Sequence, residues 1–129
     1  MKRYTNIKDD VNCEDILYMN PWLLKIYAFT IGFCHQNGIK PVITSIHRKP
    51  NDGFSKSSTH QTFRAFDLSA KSIHGWDFEK TKLFIEKVNE KFKHYGAISA
   101  SDYEQRPIVY HDAGSGLHFH LQTKHYPYN

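Results

Sequence analysis

Two short stretches hold the side chains whose types and spacing could do chemistry. One runs Ser57-Ser58-Thr59-His60-Gln61-Thr62-Phe63-Arg64-Ala65-Phe66-Asp67-Leu68, the other Gly116-Leu117-His118-Phe119-His120-Leu121-Gln122. Together they offer imidazole and carboxylate in the number a catalytic zinc requires: three protein ligands, with one coordination position left for water.

Leu117 to Gln122 has the alternation of a strand. Successive side chains point to opposite faces, so Leu117, Phe119 and Leu121 share one side and His118, His120 and Gln122 the other. The apolar side suits a core, and the side with two imidazoles and an amide suits a cleft. With nine histidines in the chain, a His-x-His pair arises readily by chance, so it carries weight only in company. Phe63 to Ser69 is a second expected strand, with Phe63, Ala65, Asp67 and Ser69 on one face and Arg64, Phe66 and Leu68 on the other. A carboxylate flanked by Phe66 and Leu68 is expected to be buried. It therefore needs a salt bridge to arginine, a set of hydrogen bonds or a metal ion. His60 lies seven residues before Asp67, a distance over which a loop can fold back towards the strand.

The remaining elements must position these two stretches. Asn20-Pro21 is a helix start, with Asn as N-cap and Pro where its missing N–H costs nothing. The helix is expected over Pro21 to Gln36 and ends at Asn37-Gly38. Leu23, Ile26, Tyr27, Thr30 and Cys34 mark its buried side, widened by Leu24, Phe29 and Phe33. Val42 to His47 is a β-branched strand, and the Ser-, Pro- and Gly-rich run from Arg48 to Ser58 is a loop. A second helix is expected from Asp77 to Lys93, with acidic residues in its first turn and basic ones at its end. Phe78, Ile85, Val88 and Phe92 form its apolar stripe, and Gly96 stops it. Ala97 to Ala100, Pro107 to His111 and Leu117 to Thr123 are further strands, the last two joined as a hairpin through Asp112-Ala113-Gly114-Ser115-Gly116. Before Pro21 only a loop or short helix is expected, around Ile16-Leu17-Tyr18. This order predicts an α+β fold with a largely antiparallel sheet and two main helices.

A chain of 129 residues makes one domain, 1–129. A net charge of +4 is too diffuse to point to nucleic acid, and Lys87, Lys91 and Lys93 on the second helix form no recognisable binding motif. Trp22 to Cys34 is too short to cross a membrane and is interrupted by Lys25. No apolar run follows Met1-Lys2-Arg3, so the sequence predicts no signal peptide and synthesis in the cytoplasm. Cys13 and Cys34 both sit among apolar residues, which predicts buried reduced thiols, with one disulfide as the alternative.

The pattern Ser58-x-His60-x6-Asp67, followed late in the chain by His118-x-His120, resembles the LAS metallopeptidases, named for lysostaphin, D-alanyl-D-alanine metallopeptidases and the Sonic hedgehog signalling domain. Within that group it is most similar to the small peptidases of phages and bacteria that cut peptidoglycan peptides, the D,D-carboxypeptidases and L-alanyl-D-glutamate endopeptidases. Thr44-Ser45-Ile46-His47-Arg48 looks like the strand and arginine that precede the metal motif there, and Arg64 to Leu68 fits as well. The likeness covers roughly Val42 to Gln122. It implies a hedgehog-like fold and a zinc ion, Zn2+, held by His60, Asp67 and His120, with His118 as an active-site partner and Arg48 near the substrate oxyanion. His118 as the ligand instead of His120 also fits, because some relatives carry a single His in this strand.

Two positions depart from the family's pattern. Phe63 stands where many relatives have Gly, and Leu117 stands where many carry the general base, three residues before the ligand histidine. Asp112 is the nearest carboxylate and the candidate base, with Glu104 behind it. The resemblance implies hydrolysis of peptide bonds in peptidoglycan stem peptides by a monomer, with no nucleic-acid or membrane partner, made in the host cytoplasm and acting on the cell wall after release. The competing reading is a non-catalytic, zinc-stabilised virion or binding module.

Overall fold

The computed structural model describes residues 6–8, 11–48, 58–98, 102–112 and 116–127. The first main helix, α1 (Pro21–Gln36), has the bounds that its punctuation predicts. The Asn20 side chain accepts the Trp22 amide hydrogen at 2.9 Å, and its own amide donates to the Lys124 carbonyl at 3.3 Å. One N-cap thus also ties down the C-terminal segment. At the other end Gly38 takes φ +67°, the left-handed conformation that closes a helix at least cost to glycine. Leu23, Ile26, Thr30, Phe33 and Cys34 are its buried residues, whereas Leu24 is 44 % exposed.

Five strands form the main sheet: β1 (Asn6–Ile7), β2 (Val42–Ser45), β3 (Ala65–Ser69), β6 (Ile108–Asp112) and β7 (Leu117–Gln122), in the order β1-β2-β3-β7-β6. Only the β1–β2 pair is parallel; the rest of the sheet is antiparallel. Between β3 and β6 the chain makes a helix, α3 (Phe78–Phe92), and a small second sheet of β4 (Ala97–Ile98) and β5 (Gln105–Arg106). The fold is α+β, as the element order predicts. The expected loop and hairpin link fall mostly outside the described residues, at 49–57 and 113–115, as does the end of the strand expected over Ala97 to Ala100.

The sheet has one apolar and one polar face. Phe66, Leu68, Phe119 and Leu121 are fully buried beneath the helices, with α1 against β7 and α3 against β6. An aromatic cluster fills this layer: Phe119 lies 4.8 Å from Trp76 and 5.2 Å from Phe84, and Phe84 lies 5.2 Å from Phe33 (ring centroids). The stripe of α3 is rotated from its expected line. Phe84 and Val88 are its buried residues, Ile85 and Phe92 lie half-buried at the edge, and Phe78 is 81 % exposed. Phe84 and Ile85 are both apolar, so composition alone cannot decide which of two neighbouring faces turns inward. Gly96 does not end α3 by a left-handed turn; a 3-10 turn over Lys93–Tyr95 does so, and Gly96 is needed because a Cβ there meets the Arg106 carbonyl carbon at 2.4 Å.

Among the cysteines the expectation holds for one. Cys34 is buried in α1, but Cys13 opens an exposed 3-10 helix (Cys13–Tyr18), and both are free thiols. Burial pushes the Cys34 thiol up to about 12. A thiol reagent at pH 8 is therefore expected to modify one cysteine of the native protein, Cys13, and to reach Cys34 only on unfolding. Two fast-reacting thiols in the native state contradict this packing.

Candidate metal centre

Strand register assembles the site. On the polar face of the sheet Asp67 is paired with His120, Ser69 with His118, and Ser45 with Asp67. His60 arrives from a one-turn helix, α2 (Ser58–Gln61), rather than the open loop that its Ser/Thr-rich setting suggested. That turn is anchored on both sides: the Arg48 amide donates to the His60 carbonyl at 3.4 Å and the Arg64 amide to the Thr59 carbonyl at 2.8 Å. The turn ends at Phe63, with φ +56°. A bulky residue in that region is strained, so Phe63 adopts a glycine-like backbone, at the position where many of the LAS metallopeptidases that the sequence resembles have Gly. His47 stacks on the Phe63 ring at 4.2 Å, nearly parallel.

His60, Asp67 and His120 converge, each offering one ligand atom, with all three atoms within 4.8 Å of one another. His60 is 1 % exposed and Asp67 4 % exposed. The two far ring nitrogens are pinned. His60 Nδ1 lies 2.7 Å from the Ile46 carbonyl oxygen, which can only accept, so Nδ1 carries the proton. The Gln122 amide nitrogen donates to the Arg106 carbonyl at 3.0 Å, turning its oxygen towards His120 Nε2 at 3.0 Å; that nitrogen is then a donor too. In their neutral forms His60 Nε2 and His120 Nδ1 therefore present lone pairs. Both point at one carboxylate oxygen, Asp67 Oδ1, at 3.2 and 2.9 Å. Three electron-rich atoms facing one another require either protons or a cation between them. Such a group could hold a metal ion, with outer hydrogen bonds that fix the tautomers of the two imidazoles.

Arg48 pairs with the other carboxylate oxygen, Oδ2, at 3.1 Å and donates from Nε to the Ser45 hydroxyl at 3.0 Å. The salt bridge to arginine and the metal-ligand reading of Asp67 thus coexist, one on each oxygen. With protons rather than a cation between these atoms, burial pushes the Asp67 carboxyl up, but hydrogen bonds from His120 and His60 outweigh it and hold the group well below the usual carboxylate range.

The other expected site residues are placed unevenly. His118 stands on the same face but outside the three-residue group, with Nδ1 donating to the Gly116 carbonyl at 3.1 Å. Asp112 ends β6 opposite Leu117; its backbone is described and its side chain is not. Glu104 is exposed in the link between β4 and β5, beside Arg106. Register places His111, an exposed residue, opposite His118, with ring centroids 4.5 Å apart. Pairing the hairpin outward from Asp112 and Leu117 is the signal that finds it.

No protein-family model, curated protein or solved structure matches the chain. The metal assignment therefore stands on the geometry. It makes a specific demand of Gln122, which reaches the three-residue group through its hydrogen bond to His120. Gln122→Leu is expected to weaken metal binding 10–100-fold while leaving the stoichiometry intact, the usual cost of removing an outer-shell partner. Competition against a chelator reads this, and unchanged affinity removes Gln122 from the site.

Proposed function

We propose that the chain is a zinc peptidase that hydrolyses peptide bonds in peptidoglycan stem peptides, as an endolysin or a D,D-carboxypeptidase. The observation that carries this reading is the pair of imidazoles aimed at one buried carboxylate oxygen, each with its far nitrogen tied to an acceptor. Two imidazoles and a carboxylate suit zinc among the common divalent ions. Ligand atoms of a tetrahedral zinc stand about 3.3 Å apart, given bonds of about 2.0–2.1 Å, and the contacts of 2.9 and 3.2 Å need little adjustment. Among the described residues three protein ligands come together rather than four, which suits a catalytic rather than a structural site.

A zinc ion bound here supplies Lewis acidity, polarising a carbonyl and acidifying water. The chain's own residues do the rest. Asp67 and the two pinned imidazoles would hold the ion. His118 carries protons between the attacking water and the leaving amine; its bond to Gly116 keeps Nδ1 as the donor and leaves Nε2 for the exchange. Arg48, with a side chain 36 % exposed, sits at the rim and offsets charge on the tetrahedral oxygen. Asp112, at the end of β6, is the carboxylate for the base role. Among the described residues no helix is long and apolar enough to cross a membrane, and the reading takes the protein as a monomer that reaches the wall after release.

The test is clearing of permeabilised bacterial cells, with the released peptides identified. The proposal expects loss of turbidity that a chelator abolishes and zinc restores, with new amino termini or free D-alanine among the products. A second reading has a specific support: the position three residues before His120 is Leu117, not an acid. A zinc-stabilised, non-catalytic module binds one zinc and cleaves no peptidoglycan fragment, and that pair of results replaces the peptidase.

A further inference from the structure

The polar face of the β6–β7 hairpin carries a second imidazole pair that the mechanism does not use as a pair. His111 is directly opposite His118, and their ring centroids lie 4.5 Å apart at 55°. The two histidines of the metal centre, His60 and His120, stand 5.0 Å apart at 65°. Both are pairs of inclined rings whose centroids lie no more than 5.0 Å apart. Directly opposed residues on an antiparallel pair have Cβ atoms about 4.5–5.5 Å apart, so the backbone itself supports this spacing. The hydrogen bond from His118 Nδ1 to the Gly116 carbonyl fixes a tautomer whose Nε2 lone pair can serve as ligand. His111 is exposed and His118 half-buried, which gives an ion direct entry from solvent.

We propose that His111 and His118 form a second, weaker site for a borderline divalent ion such as zinc, copper(II) or nickel, adjacent to the first. Imidazole is the ligand such ions favour. Its weakness follows from charge. Among the described residues the His60, Asp67, His120 group alone brings three metal-binding side chains together, and its one carboxylate already faces Arg48. Among the described residues the imidazole pair brings two neutral ligands, and water completes the shell. Its neighbour is close, since the His111 and His120 ring centroids lie 6.5 Å apart, so a second dication meets repulsion from the first. Filling is therefore sequential. The binding rests on His111 and His118 alone. Its consequence rests on the peptidase reading: an ion on His118 Nε2 withdraws the proton carrier, and excess metal inhibits.

The experiment is equilibrium dialysis against buffered zinc, with metal counted per chain, for the native sequence, His111→Gln and Asp67→Asn. The native protein is expected to take up one equivalent tightly and a second at higher zinc. His111→Gln is expected to stop at one, with an unchanged melting temperature because position 111 is exposed. Asp67→Asn is expected to lose the tight equivalent and keep the weak one. A native protein that saturates at one, or a second equivalent that survives His111→Gln, overturns the proposal. Loss of the tight step from the native protein with the weak step retained contradicts the first site and leaves the second standing. Turnover of the zinc-loaded enzyme is expected to fall beyond one equivalent in the native protein but not in His111→Gln; equal inhibition in both removes the regulatory consequence.

Discussion

Asp67→Asn is expected to abolish the tight zinc equivalent while leaving the chain folded. The substitution keeps the shape of the side chain and removes the charge that both imidazoles and Arg48 face. The loss is expected to exceed the 10–100-fold that an outer-shell change costs, because Oδ1 would itself be the ligand atom. Stability falls as well, by an amount that solvent limits. Removing one partner of a fully buried ion pair costs about 3–5 kcal/mol because a charge is stranded. Here the Arg48 side chain is 36 % exposed and recovers water, so the metal-free variant is expected to lose about 1–3 kcal/mol, the range for hydrogen bonds to a buried group. The pH dependence has a definite sign. The Asp67 carboxyl is held below its ordinary value in the folded state, so its stabilisation is present above about pH 4, the unfolded value, and is lost as pH falls further. The difference in melting temperature between native protein and variant is therefore expected at neutral pH and should narrow in acid. A variant that still holds one zinc per chain at the native protein's tight affinity removes Asp67 from the centre.

Phe119→Ala carries the largest expected cost in stability, about 3–5 kcal/mol. Phe119 is fully buried between His118 and His120 in sequence, on the opposite face of β7, where it meets Trp76, Phe84 and Tyr110. Against a total of about 5–15 kcal/mol for a domain, this is a large fraction. Saturating zinc is expected to restore part of the loss, because an ion that binds only the folded state stabilises it by mass action. Phe78→Ala is the control. At 81 % exposure that ring should be worth no more than about 0.5 kcal/mol. Denaturant titration of both variants checks the rotated face of α3 as well as the core, and a costly Phe78→Ala contradicts it.

Much of the frame is legible in the sequence where backbone chemistry is punctuated. Asn20-Pro21 and Asn37-Gly38 bound α1 because each pair solves a specific problem of a helix end. The alternation in β7 is legible because its faces differ so sharply in polarity, and Asp67 is legible because a carboxylate between Phe66 and Leu68 cannot be left alone. Other features are hidden for physical reasons. β1 is two residues long, too short to show a period. The turn that presents His60 is held by backbone hydrogen bonds from Arg48 and Arg64, which no side chain announces. Cys13 sits near apolar residues in sequence, but its neighbours Leu17 and Tyr18 are themselves 79 % and 66 % exposed. The tautomer-fixing partners of the site, the Ile46 carbonyl and the Gln122–Arg106 link, exist only once the strands are in register. His111 lies between these cases: the hairpin pairing implied by Asp112 and Leu117 places it, but only if the pairing is written out.

The most direct test of the account is the coordination shell of zinc bound to the intact protein, read by X-ray absorption at one equivalent. The account predicts two imidazole nitrogens and carboxylate or water oxygen at about 2.0–2.2 Å, with no sulfur, and loss of that signature in His60→Ala, Asp67→Ala and His120→Ala. A sulfur neighbour at about 2.3 Å, an imidazole-free shell, or full zinc retention by those three variants would contradict it.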